Sequence, residues 1–155
     1  MSHPYRRFVA MIVAASVLMF GLMYLNTYRL EHVWFSQTRL FMTLIMAGAM
    51  ALVMLAFMRH MYDDRRANAA IVAAGVGLIA LGLWLVRSQA TVGDVAWMEA
   101  MIPHHSIAIL TSERAAIRDP RVGELADSII ETQRREIAEM EALIADLEVR
   151  PAAAE

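Results

Sequence analysis

The chain contains no cysteine. That absence excludes a disulfide framework, a thiolate metal site and a cysteine nucleophile, so methionine becomes the soft donor by default. Strand-like alternation and internal repeats of useful length are also missing. So are the common catalytic patterns. There is no His-Glu-x-x-His, no phosphate-cradling glycine loop, and no Glu-x-x-His pair of the kind that builds di-iron sites in helical bundles. Ser106 beside His105 on one helix is not a nucleophile–base arrangement, so no catalytic residue is assigned and the chain is read as a non-enzyme. The polar half has no basic cluster and the net charge is −2, which gives no reason to expect nucleic acid as a partner.

Apolar residues are abundant. Of 155 residues, 59% are hydrophobic and 19% charged, too apolar for an ordinary soluble domain and too charged for a wholly embedded one. The two properties are segregated along the chain. Three runs, at about residues 8–25, 40–58 and 69–86, reach the roughly 17–25 residues that a membrane-crossing helix needs. No charged residue lies inside them, which argues against a proton-coupled pump. Tyr24, Tyr28, Trp34, Tyr62 and Trp84 fall near the ends of the runs, where amphipathic rings favour the lipid–water interface.

Arg6 and Arg7 precede the first run, but it is long and no small-residue cleavage pattern follows, so a retained anchor is expected rather than a signal peptide. Arg6, Arg7, Arg59, Arg65 and Arg66 on one side outnumber Arg29, Arg39 and Arg87 on the other. The arginine bias predicts a bacterial inner-membrane protein with a cytoplasmic N-terminus and a periplasmic or outward-facing C-terminal domain.

The expected fold is all-α: a membrane anchor over residues 1–89, then an antiparallel helical hairpin over residues 90–155. Thr91–Asp94 fits a capping box and opens a helix expected to reach Ile117. Asp119-Pro120 then reads as an N-cap with proline at the first helical position. Val122, Leu125, Ile129, Ile130, Ile137, Met140, Leu143, Ile144 and Leu147 carry the helical period of the second arm.

The segment from Asp94 to His105 sets two thioethers and two imidazoles within eight residues. At about 100° per residue, Met98, Met101 and His105 share one face, with His104 at its flank. On the second arm Gln133, Glu136 and Met140 are likewise cofacial. A tight turn near residue 119 sets His105 opposite the Gln133–Glu136 turn, and Met98 and Met101 opposite Ile137–Met140. Pro103 is expected to kink the first arm and free the carbonyl of Glu99. Thioether with imidazole selects soft or borderline ions, above all Cu(I). Taken singly, each methionine is an ordinary core filler; the convergence of the set is what points to a metal site.

Met101-Ile102-Pro103-His104-His105, followed by Gln133-Arg134-Arg135-Glu136-Ile137-Ala138-Glu139-Met140, resembles the paired motifs of the domain of unknown function 305 family. The likeness covers about residues 92–147. It implies a ferritin-like, extracytoplasmic helical domain, here half of a bundle, binding copper or silver. The ligands it implies are Met98, Met101, His104, His105 and Met140, supported by Gln133 and Glu136. Ser106 stands where many members have glutamine, and Ile109-Leu110 where they have a methionine, which implies fewer or weaker sites.

Met42, Met46, Met50, Met54 and Met58, then Met61, wind along the second run, with Met19 and Met23 available opposite. The row is either a thioether ladder for Cu(I) or Ag(I) or adaptable packing, and packing is the reading adopted. Gly48 and Ala47/Ala51, with Ala70/Ala74 and Ala73/Gly77 in the third run, suit close helix contact. His32 and His60 lie at opposite ends of the anchor and cannot share one haem. The expected function is thus a membrane-anchored Cu(I)- or Ag(I)-binding protein for sequestration, handover or tolerance. The alternative is a structural or assembly module of the membrane with no metal role. A two-helix arm buries too little surface to be robust alone, so a homodimer through the hairpin is expected, with the lipid bilayer and the metal ion as further partners.

Overall fold

The computed structural model describes residues 3–149. Five long helices run in the order α1 (His3–Leu22), α2 (Gln37–Met58), α3 (Arg65–Ser88), α4 (Asp94–Arg114) and α5 (Pro120–Val149). Single 3₁₀ turns occupy Leu30–His32 and Arg59–Met61. No strand occurs among the described residues. Three segments, His3–Leu22, Gln37–Met61 and Arg65–Ser88, are long and apolar enough to cross a membrane. α1 starts five residues before the expected run because Tyr5, Arg6 and Arg7 are helical too, and it stops short of Leu25.

The chain divides into two compact units, residues 1–23 with 38–91 and residues 24–37 with 92–155. The boundary therefore departs from a simple split near residue 90. The segment Tyr24–Gln37 between α1 and α2 groups with the polar helices.

Within the first unit, glycine sets the approach of α2 to α3. A Cβ at Gly48 would lie 2.5 Å from the Gly75 carbonyl oxygen, and one at Gly82 would lie 2.8 Å from the Phe41 carbonyl oxygen. The contact thus uses Gly75 and Gly82 rather than the expected Ala70/Ala74 and Ala73/Gly77; Gly77 has open space around it and those alanines are exposed. One end of the unit is closed by aromatic and polar contacts. Tyr5 and Phe8 of α1 meet Tyr62, with ring centroids 5.1 and 5.4 Å apart. The Tyr5 hydroxyl accepts from the Asp64 amide at 3.1 Å and donates to the Asn68 Oδ1 at 2.9 Å. Asp64 also caps α3, accepting from the amides of Arg66 and Ala67. α3 ends at Gln89, whose φ of 51° is left-handed and terminates the helix with a bond to the Leu85 carbonyl.

In the second unit α4 and α5 pack through Met98, Ile102, Ile109, Ile137, Met140 and Ile144. α4 begins at Asp94, and its N-cap residue, Gly93, has no side chain with which to cap it. The Asp94 carboxylate instead meets the positive end of the helix dipole. α4 stops at Arg114, not Ile117, because Ala115 turns to extended backbone and five residues must bring the chain round to Pro120. Asp119 accepts from the Arg121 amide at 2.9 Å, as an N-cap before proline should.

Candidate metal centre

His105 is the fixed point of the site. Its Nδ1 lies 3.0 Å from the carbonyl oxygen of Met101, one turn earlier on α4. A carbonyl only accepts, so Nδ1 carries a proton and Nε2 is the variable position. That nitrogen lies 2.8 Å from Glu136 Oε2 of α5. With a proton on Nε2 the two form an imidazolium–carboxylate pair. Without it, the Nε2 lone pair would face the Glu136 oxygen, and either a proton carried on the carboxyl or a cation between the two would relieve the repulsion. The His105 side chain is 11% exposed and that of Glu136 42%, so the pair opens to solvent on its carboxylate side.

The neighbouring thioethers are held by packing. Met98 and Met140 are buried in the same cluster as four isoleucines, and Met101 packs half-buried against it. The helix continues unbroken through Pro103, which is itself buried. His104 does not enter this layer: it is exposed, its ring tilted 62° to that of His105 with centroids 6.1 Å apart. Gln133 is half-buried on α5. The two helices thus bring together His105 with Glu136 and Met98 with Met140, and leave His104 outward. Among the described residues, no group of three or more His, Asp or Glu side chains is placed to hold an ion. Thioether sulfur, from Met98 and Met140, is the other donor type in the α4–α5 core.

On the other side of α4, Ser106 is fully buried. Its Oγ accepts from the Tyr28 amide at 2.7 Å and lies 2.9 Å from His32 Nδ1. Ser36 donates its amide to the Tyr24 hydroxyl, closing the same segment on itself, and Tyr28 and Trp34 pack against the α4–α5 core. Both rings, near the ends of the apolar runs, thus pack within the polar unit. Burial lowers the His32 imidazole below its ordinary value and nearby Arg29 adds to this, while Glu141 and Glu31 oppose. Burial, then the charge of Glu148, raises the Glu99 carboxyl. Residue spacing gives no signal for the Ser106–His32 contact, since 74 positions and two helices separate the partners.

The sequence model of a family described as Domain of unknown function (DUF305) matches residues 84–154. An uncharacterized protein of Acanthamoeba polyphaga mimivirus, L153, is 32% identical over 106 residues, 67% of this chain and 68% of that protein. That match is longer than the stretch from residue 84 to residue 155, so the likeness reaches into the apolar helices before it. No solved structure matches.

Proposed function

The chain belongs to the domain of unknown function 305 family, and on that premise we propose that it is a membrane-anchored protein that binds Cu(I) or Ag(I) for sequestration, handover or tolerance. In this reading α1–α3 cross a bacterial inner membrane with the N-terminus cytoplasmic. α4 and α5 form an antiparallel hairpin, half of a ferritin-like bundle, on the periplasmic face, and a second copy completes the bundle. The ion is cargo rather than a catalytic cofactor, and no reaction is assigned.

The supporting observation is the commitment of His105 Nδ1 to the Met101 carbonyl. Metal-binding histidines characteristically anchor one ring nitrogen on a carbonyl or carboxylate, which orients the other toward the ion. His105 Nε2 would be the nitrogen donor, and Met98, Met101 and Met140 the thioether donors. Glu136 would exchange its proton-bridged contact for a neutralising one. Gln133 and His104 stand at the margin. Hard ions such as Ca²⁺ take 6–8 oxygen ligands, and two nitrogen or oxygen donors with thioethers serve them poorly; a soft monovalent ion suits the set.

The reading is tested by titrating Cu(I) into the full chain in detergent against a competing chelator. The Met101→Leu/His105→Leu variant is expected to lose affinity by more than roughly tenfold, the scale on which even supporting residues of metal sites act. Equal, weak binding by both proteins would remove the metal role. The remaining function would then be a structural or assembly module, a reading that the packing of Met98 and Met140 among isoleucines favours.

A further inference from the structure

The methionines of α2 do not form one continuous row. Met42 and Met46 are exposed, whereas Met54 and Met58 pack beside Tyr5, Phe8, Ala51, Leu55 and Tyr62. At the end of this stretch Met58 and Met61 line a cavity of about 750 Å³, and Met11 and His3 of α1 line it too. Three thioethers and one imidazole from two separate segments therefore border a single space. Among the residues on its wall Arg7 is the one with a fixed charge, and no carboxylate is present.

This wall is chemically selective. Thioethers are neutral and polarisable, so they hold soft ions and give little to Mg²⁺ or Ca²⁺, which need hard oxygen donors. Arg7 adds a second filter, because its repulsion of a divalent ion is twice that of a monovalent one at the same distance. We propose that the cavity is a second binding site for a soft monovalent cation, Cu(I) or Ag(I), with Met11, Met58, Met61 and His3 as its donors. It shares no residue with the site around His105 and does not rest on it.

The test uses the full chain in detergent, labelled with ¹³C at the methionine methyl groups, and Ag(I) alone as the probe. In the Met101→Leu/His105→Leu background, the methyl signals of Met11, Met58 and Met61 are expected to shift on adding Ag(I). Adding Met58→Leu/Met61→Leu should then weaken the remaining Ag(I) binding by roughly tenfold or more. His3→Ala, at an exposed position outside the core, should weaken it without any effect on folding, so the proposal stays open to refutation if the leucine variant misfolds. Signals that stay fixed, or Ag(I) affinity indifferent to both changes, overturn the proposal. Signals that move with added phospholipid but not with Ag(I) also overturn it and make the cavity a lipid groove. Shifts at Met98, Met101 and Met140 in the unmutated chain report on the α4–α5 site separately, so either site can fail while the other stands.

Discussion

The two units solve the burial of helices in opposite ways. α2 and α3 approach through missing side chains: Gly48, Gly75 and Gly82 let backbone meet backbone, with polar bonding collected at the Tyr5–Asp64–Asn68 end. α4 and α5 keep their side chains and enclose polar ones, so that His105 is paired with Glu136 and Ser106 with Tyr28 and His32. Small residues reward close backbone approach in the first unit. In the second, polar groups can be buried where they find partners. The contrast is visible in where substitutions should hurt.

The largest effect is expected at Gly48. Gly48→Leu drives a side chain into the Gly75 carbonyl and Ile79, and the cost should reach or exceed the upper end of the roughly 1–3 kcal/mol typical of overpacking. Gly77→Ala, with nothing within 4 Å of its added carbon, should leave stability unchanged or slightly raised. Unfolding of both variants in detergent measures the difference; equal stability would break the account of α2–α3 packing. In the polar unit, Ser106→Ala removes the acceptor of the Tyr28 amide and the partner of His32. About 1–3 kcal/mol should be lost, the cost of stranding buried polar groups, with faster hydrogen exchange at the Tyr28 amide as its local signature.

The smallest effect is acid sensitivity. Unfolded His32 takes up a proton near pH 6.5, whereas burial resists protonation in the fold. Stability should therefore fall as the pH drops below that value and level off once the folded ring is protonated too. Glu99 has the opposite sign: its raised carboxyl contributes fully below pH 4.5 and loses that contribution as the pH rises. Melting of the wild type and of His32→Gln from about pH 7.5 to 5 isolates the histidine. Parallel curves would show that the His32 contact does not sense pH.

Much of this was legible from periodicity. Long apolar or amphipathic runs mark all five helices, and symmetry about the Asp119-Pro120 turn set His105 against the Gln133–Glu136 stretch, where the bond to Glu136 is found. What stayed hidden depends on choices between equivalent faces. Small residues occur on more than one side of α3, and only the shape of α2 selects Gly75 and Gly82 over Ala73 and Gly77. Tyr28 and Trp34, near the ends of apolar runs, pack on the α4–α5 core, a contact that their place in the sequence does not signal. Ends of helices also moved by several residues, as at Arg114, where the return of the chain outweighs the propensity of Ala115 and Ala116.

The membership of Tyr24–Gln37 in the polar unit has a consequence for biogenesis. Tyr28 leaves the ribosome 78 residues ahead of Ser106, so the earlier strip must wait, unlatched, while α2 and α3 are made. A recombinant fragment starting near residue 92 would be born without that strip, leaving the Ser106 hydroxyl and the faces under Tyr28 and Trp34 bare. Excising the family domain at its sequence boundary would thus yield an incomplete object, and tests of the proposed ion binding need the intact polypeptide.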